Sequence, residues 1–331
     1  MNPTGEPPAW LHFLPVGFPS ANLVVADGAQ RVLFDTGYGS DADRTIAALA
    51  AVGVPASGLH LVVNTHWHSD HVGGNARLQS EYGIPIAAAR ADAEAVNSCR
   101  HDACLAEWLD QPVERYRIDH VLHPGDRLAA GPVEWQVLAT PGHTPSHLSF
   151  YQPDERLLVL GDAAHADDVG WINLALDGPG AIDTALQTIE ELGRLPLRLA
   201  LSGHGPAITD PPRTFAAAHT RLERMRADPQ RAGWHACKRI FAFALMIHDG
   251  IPLDEVTAYL TSRPWLVDHA ATVFETTVEA LCADLLAEMR RAGATEEREG
   301  RLVSRAPHHR PPTGWRRGPG HPRGWRRPLA S

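Results

Sequence analysis

The sequence lacks the long apolar stretches that cross a membrane. In its second half the longest unbroken apolar run is IFAFALMI, residues 240–247, which is far shorter than the ~20 residues that span a bilayer as a helix. The amino terminus, MNPTGEPPAW, has neither the basic segment nor the apolar segment of a secretory signal. We therefore expect a cytoplasmic protein with no membrane partner.

Cysteine is also scarce. The 331 residues contain four cysteines, and none of them forms a CxxC pair: Cys99, Cys104, Cys237 and Cys282. A disulfide framework needs more cysteines at closer spacing, and it belongs to oxidising compartments. The four cysteines are therefore expected to be buried or free thiols in a reducing compartment, not a disulfide framework.

Outside the carboxyl terminus, basic residues are fewer than acidic ones. The net charge is −9, but residues 305–331 contain seven arginines and no acid, so residues 1–304 carry −16. Such a body repels nucleic acid unless a local basic patch compensates, and a nucleic-acid partner is therefore unlikely. The tail is rich in Pro, Gly and Arg, which predicts disorder. It could act as an anion-binding or nucleic-acid-binding arm, but we favour a simple terminal extension.

What the sequence does contain is an alternation of short strands and helices over residues 1–212, which indicates a layered α/β domain. From about Arg213 the composition changes, and the segment 213–304 reads as a helical subdomain, perhaps of winged-helix type, followed by the tail, 305–331. Within the subdomain, residues 268–293 predict one long helix with Asp268 as its N-cap and Gly293 just beyond its end.

The stretch NTHWHSDH, residues 64–71, concentrates four residues of metal-ligand type. It follows the apolar run LVV, which predicts a strand. At the end of a strand, side chains two apart point the same way, so His66 and His68 can face one metal ion. Asp70 and His71 can turn toward a second ion as the chain leaves the strand. A run of exposed polar residues is the less favoured explanation.

Three later residues complete two sets of ligands, each just after an apolar run: His143 in TPGHTPSH, Asp162 in VLGDAAH and His204 in LSGHGP. His143 joins the first two histidines, and three histidines suit a zinc-type ion with an open position for water. His204 joins the second pair, and Asp162 can bridge both ions. The predicted ligands are His66, His68, Asp70, His71, His143, Asp162 and His204.

Other residues are predicted to surround the ligands. His147 and His165 are close in sequence to ligands, and each is expected to support a ligand from behind or to line the pocket rather than to bind the metal. Asp35, in FDTG, is expected to orient a ligand. Candidates for the pocket wall, besides His165, are Tyr38, Trp67 and Trp171.

The motifs VLFDTG, THWHSDH, PGHTPSH, VLGDAAH and LSGHG, in this order over about residues 10–210, resemble the metallo-β-lactamase superfamily. The resemblance implies an αββα four-layer sandwich, with the metals in a cleft at one edge of the sheets. Asp162 stands where the commonest zinc β-lactamases have cysteine, so the pattern is closer to the binuclear branch of glyoxalase II, lactonases and thioesterases.

The resulting hypothesis is a hydrolase of acyl esters, thioesters or lactones with two divalent ions, zinc before manganese or iron. A hydroxide bridging the ions would attack a small-molecule substrate, and Asp70 would act as the catalytic proton carrier. One alternative is a phosphodiesterase or ribonuclease on the same site. Another is a mononuclear iron persulfide dioxygenase, which needs only His66, His68 and His143 as ligands. The helical region is a candidate homodimer surface.

Overall fold

The computed structural model describes residues 5–315, and two mixed sheets form its centre. The first sheet contains six strands in sequential order, of which β1–β3 pair antiparallel and β3–β6 pair parallel. Its strands are β1 (Leu11–Leu14), β2 (Leu23–Ala26), β3 (Val32–Phe34), β4 (Leu61–Val63), β5 (Ile86–Ala89) and β6 (His120–Leu122).

The second sheet has the strand order β11-β10-β9-β8-β7, with only β10 and β11 parallel. Its strands are β7 (Arg127–Ala130), β8 (Val133–Ala139), β9 (Leu148–Gln152), β10 (Leu157–Gly161) and β11 (Leu199–Ser202). Apolar runs such as LLVLG in β10 are buried along their whole length, whereas β7 alternates exposed and buried residues. This difference matches strands covered on both faces and a strand covered on one.

Helices cover the outer face of each sheet. Five lie on the side of the first sheet: α1 (Ala42–Ala51), α2 (Ser69–Val72), α3 (Asn75–Tyr82), α4 (Arg90–Asn97) and α5 (Ala106–Leu109). Two follow the strands of the second: α6 (Leu174–Asp177) and α7 (Gly180–Gly193). Phe34, Trp135 and Phe150 form part of the core between the sheets. The predicted αββα sandwich is therefore confirmed.

The remaining chain is mainly helical and includes a small antiparallel sheet with the order β12-β14-β13. Its helices are α8 (Pro211–Ala227), α9 (Gln230–Ile247), α10 (Val256–Thr261), α11 (Pro264–Thr272) and α12 (Val278–Arg291). Its strands are β12 (Ile251–Pro252), β13 (Thr295–Arg298) and β14 (Arg301–Ser304). No helix within the described residues combines the length and apolarity that crossing a membrane requires.

The single helix predicted over 268–293 is wrong, because the chain forms α11 and α12 instead. Between them Glu275 has φ +51°, a left-handed conformation that a helix interior excludes. Thr277 caps α12 by accepting a hydrogen bond from the Ala280 backbone N–H. Asp268 lies inside α11 and accepts a hydrogen bond from Trp108 Nε1 at 2.7 Å. Gly293, with φ +63°, follows the end of α12 as predicted.

The first part of the predicted disordered tail is ordered. The backbone N–H of His309 donates to the Phe18 carbonyl at 2.7 Å, and the Trp315 ring centroid lies 5.1 Å from that of Tyr38. The His309 backbone and the Trp315 side chain thus contact the folded domain, and these contacts outweigh the local Pro and Gly content. The rest of the predicted tail lies outside the described residues.

Candidate metal centre

The stretch that supplies four of the predicted ligands follows the buried parallel strand β4. The strand ends at Val63, so His66 and His68 lie in the loop before α2 and not on the strand itself. They nevertheless face each other, with His66 Nε2 3.1 Å from His68 Nδ1. Asp70 and His71 lie in α2. A short buried strand followed closely by a helix thus places all four side chains together.

The other three predicted ligands come from the second sheet. His143 lies in the connection between β8 and β9, Asp162 directly follows β10, and His204 follows β11. Because β10 and β11 run parallel, their carboxyl ends deliver the last two side chains to the same edge. The seven predicted residues therefore converge from both sheets.

His66, His68 and His143 form the first group of potential ligand atoms. His68 Nδ1 lies 2.8 Å from His143 Nε2, and all three side chains are buried. Burial and the repulsion between neighbouring imidazoles hold the pKa of His66 and of His68 well below the usual value. Burial also lowers the pKa of His143. The three rings are therefore neutral at neutral pH, which is the form that binds a metal ion.

Asp70, His71 and His204 form a second group. His204 Nε2 lies 3.1 Å from Asp70 Oδ2. A third group shares one histidine with each of these two and consists of His66, His71 and Asp162. Asp162 Oδ1 lies 3.4 Å from His71 Nε2 and its Oδ2 lies 3.7 Å from His143 Nε2, so Asp162 reaches both. This is the position that a bridging carboxylate would need.

The side chains of the second group and Asp162 are charged, whereas the three histidines of the first group are neutral. Burial opposes protonation of His204, but the carboxylates of Asp162 and Asp70 raise its pKa to about 9. Burial likewise opposes ionisation of Asp162, yet His204 and His71 hold its pKa well below the usual value. Metal binding here would replace the protons on these histidines by a cation.

Several contacts fix the ring orientations. His71 Nδ1 lies 2.8 Å from Asp35 Oδ2, so the carboxylate orients this ring as predicted. Asp35 also accepts hydrogen bonds from the backbone N–H and the hydroxyl of Thr65. His143 Nδ1 lies 2.6 Å from the Trp171 carbonyl. Such contacts fix which nitrogen of each ring faces inward.

Buried polar atoms support a metal ion at this place. His71 Nε2 and Asp162 Oδ1 are buried and make no hydrogen bond, although buried polar atoms normally have partners. The backbone also approaches closely: a Cβ on Gly203 would overlap the Asp162 carboxylate and lie 2.7 Å from His71 Cε1. The His-rich buried clusters therefore fit a metal site, while the structure does not identify the metal.

His147 and His165 lie beside the ligand groups without joining either of them. His147 Nε2 accepts a hydrogen bond from the Asp162 backbone N–H at 3.0 Å, and its Nδ1 lies 2.7 Å from Thr140 Oγ1. Burial lowers its pKa to about 3. Burial also lowers the pKa of His165 to about 4, and this residue lines the cavity in front of the ligands. Both placements agree with the prediction.

That cavity has a volume of about 160 Å³ and is mainly apolar. Of the predicted wall residues, His165 and Trp171 line it. Tyr38 and Trp67 do not, because Tyr38 is fully buried against Phe243 and Trp67 packs into the apolar cores. The sequence analysis missed most of the wall, which includes Phe18, Leu109, Val169, Arg239, Ile240, Phe243 and Met246.

The missed residues follow two patterns. Ile240, Phe243 and Met246 recur at helical spacing along α9, so the apolar run 240–247 packs in the core and also faces the cavity. Phe18 stacks on His204 with ring centroids 4.9 Å apart. No local motif marks Phe18, because it reaches the site through the packing of the amino-terminal strands.

Comparisons with known proteins agree with this geometry. The profile of the Metallo-beta-lactamase superfamily matches residues 14–204. The Bacillus subtilis protein named Probable metallo-hydrolase YybB is 29% identical over 149 residues, covering 45% of this chain and 64% of that protein. A hydroxyacylglutathione hydrolase of Brucella anthropi is 29% identical over 156 residues, covering 47% of this chain and 51% of the relative.

The chain thus spans only about half to two thirds of the length of these curated relatives. A solved structure extends the similarity to the helical region. It is the metallo-beta-lactamase family protein TTHA1429 of Thermus thermophilus, with a TM-score of 0.56 and 22% identity. The match covers 89% of this chain and 99% of that structure, and at this identity it establishes a shared fold.

Proposed function

This chain belongs to the metallo-β-lactamase superfamily, and we propose that it is a metal-dependent hydrolase of ester, thioester or lactone bonds. The observation that carries the proposal is the convergence of two groups of ligand-type side chains on one apolar cavity. The name of the superfamily does not decide the substrate, so the bond type rests on the site and its surroundings.

Each of the two proposed ions has one group of ligand-type side chains. His66, His68 and His143 would hold one ion, Asp70, His71 and His204 the other, and Asp162 would touch both. Bound divalent ions supply Lewis acidity and lower the pKa of a water to around 7. The imidazole and carboxylate donors suit zinc, and they also suit manganese or iron.

Asp70 is the proposed proton carrier. Burial opposes its ionisation, but His71 and His204 lower its pKa below the usual value. It is therefore a carboxylate at neutral pH, and it lines the cavity. From there it can accept a proton from the attacking water and pass it to the leaving group. His204, 3.1 Å away, holds the carboxylate in place.

The cavity wall favours an acyl group. Phe18, Trp171, Ile240, Phe243 and Met246 give it an apolar surface, on which an uncharged acyl chain is stabilised by burial. The name hydroxyacylglutathione hydrolase, carried by relatives such as that of Brucella anthropi, describes an acyl bond to a thiol carrier. Both points support carbonyl chemistry over phosphodiester chemistry.

The helical region is proposed to be winged-helix-like and to begin near residue 213. Supporting this, α9 is followed by β12, then by α10 to α12 and by the hairpin of β13 and β14, with β14 central in the sheet. This order of helix, strand, helices and hairpin supports the proposal, with three helices between the first strand and the hairpin. A reducing, cytoplasmic setting agrees with the four free thiols, and a homodimer through the helical region remains a proposal.

A substrate panel tests the proposed function. The zinc-loaded protein is assayed with acyl thioesters, esters, lactones, β-lactams, phosphodiesters and a persulfide, with the metal content measured on the same sample. We expect turnover of acyl substrates that a chelator abolishes and added metal restores. Turnover confined to phosphodiesters, or persulfide oxidation with one iron per chain, would contradict the proposal.

A further inference from the structure

A basic cleft lies between α8 and α9, away from the metal ligands. It has a volume of about 650 Å³, and its wall includes Arg221 and Arg224 from α8 and Arg231, His235 and Lys238 from α9. The sequence analysis did not recognise it, because these residues are scattered among apolar and acidic neighbours. Neither the proposed reaction nor the comparisons assign it a role.

The residues that line the cleft recur at helical spacing on both helices. On α9 the residues that line it are 231, 234, 235 and 238, and on α8 they include 217, 220, 221 and 224, with 225 beside them. Each set has the spacing i, i+3, i+4, i+7, which places its members on a single face. The cations Arg221 and Arg224 of α8 and Arg231 and Lys238 of α9 thus lie on the sides of the two helices that border the cleft.

The charge of the cleft is only partly compensated. In residues 5–315, neither Arg224 nor Lys238 has a carboxylate within 4.0 Å in the structure, whereas Arg231 pairs with Asp228 at 3.2 Å. The one acid on the wall, Glu288, is held by two hydrogen bonds of 2.6 Å from Arg291. A body that carries −16 over residues 1–304 therefore has a local site for an anion.

Asp168 connects the linings of the cleft and the metal cavity through ion pairs. This carboxylate pairs with Arg221 at 3.2 Å and with His235 at 3.1 Å, both of which line the cleft. It also pairs with Arg239, which lines the metal cavity. This ion-paired carboxylate and its partners lie between the two cavities, so a ligand long enough to reach past them could place one end in the apolar cavity and the other in the basic cleft.

The cleft wall also contains an aromatic side chain. Trp234 is half-buried, and its ring is held by a T-shaped contact with Phe274 at 4.9 Å between centroids. Aromatic rings stack with nucleobases, and arginine side chains bind phosphate oxygens. An aromatic side chain among cations therefore fits a phosphorylated nucleotide better than it fits a simple carboxylate.

We infer that the cleft between α8 and α9 binds a phosphorylated nucleotide carried on the leaving group of the acyl substrate. The inference rests on the proposed acyl-bond hydrolysis: the apolar cavity takes the acyl group, so the charged end belongs to the alcohol or thiol that departs. The expected substrate class is an acyl thioester or ester of a nucleotide-bearing carrier.

Calorimetric titration of the full-length protein with ADP tests the cleft without any turnover. We expect binding that weakens as salt is raised, and about tenfold weaker binding by the double variant Arg224→Gln/Lys238→Gln. Arg213→Gln is the matched control, because Arg213 is an exposed cation of α8 outside the cleft. No binding at low salt, or equal weakening in the control, would overturn the inference.

A pair of thioesters with the same acyl group, one with a phosphorylated nucleotide on its thiol and one without, tests the connection to catalysis. We expect a lower KM for the phosphorylated member, a preference that the double variant loses and Arg213→Gln keeps. ADP binding without any such preference would contradict the role in the substrate, even if acyl hydrolysis is observed. Tighter binding of a single-stranded RNA than of ADP would reassign the cleft to nucleic acid.

Discussion

Asp35 adopts a backbone conformation that few aspartates adopt, with φ +57°. In this conformation its carboxylate accepts hydrogen bonds from the Thr65 backbone N–H at 2.9 Å and the Thr65 hydroxyl at 2.8 Å, and it contacts His71 Nδ1. One residue therefore fixes both the loop that carries His66 and the ring of a proposed ligand. The strained backbone is retained because these contacts hold it.

Asp35→Asn tests this role. Asparagine keeps the shape but removes the charge opposite His71, so we expect about 10–100-fold weaker zinc binding, measured by competition with a chelator. Asp27→Asn is the control, because Asp27 is a partly exposed aspartate paired with Arg31. Unchanged zinc affinity in Asp35→Asn would show that the carboxylate does not support the ligand.

At the residue scale the sequence indicated which ligand-type side chains lie together, because each follows an apolar run that ends at the same edge of the sheets. It failed for residues that reach the site through tertiary packing. Phe18 stacks on His204, and Phe243 faces the cavity from α9, but neither lies in a motif. The prediction that Tyr38 lines the pocket is wrong, because an aromatic residue near a motif can also be buried in the core.

Among the elements, the segment 305–315 packs beside the site. Its His309 N–H bonds the Phe18 carbonyl, and Ala306 lines the metal cavity. Phe18 in turn stacks on His204. Composition alone predicted disorder here, since the packing partners lie almost 300 positions earlier in the sequence.

Two truncations test this segment. Ending the chain after Ser304 removes the cover over Phe18 and Tyr38, so we expect a loss of about 1–3 kcal/mol in unfolding free energy and a higher KM. Ending the chain after Trp315 keeps these contacts and serves as the control. Thermal unfolding and steady-state kinetics measure both effects. Equal melting temperatures for the two truncations would contradict the role of the segment.

For the whole molecule, the predicted boundary at residue 212 separates elements that share a core. Leu105 and Leu109 pack in one cluster with Ile240 and Trp265 of the helical region, and α9 supplies part of the cavity wall. The sequence indicated the change in composition but not this packing, because local periodicity does not show which helix face meets which domain. We therefore expect the helical region to shape substrate choice.

The central claim is that two metal ions and Asp70 perform the hydrolysis. The measurement that tests it most directly is the zinc content per chain together with acyl-substrate turnover, on the same samples of wild type and Asp70→Asn. We predict about two ions per wild-type chain and a turnover at least about 100-fold lower in Asp70→Asn with an unchanged melting temperature. One ion per chain with full turnover, or full turnover in Asp70→Asn, would contradict it.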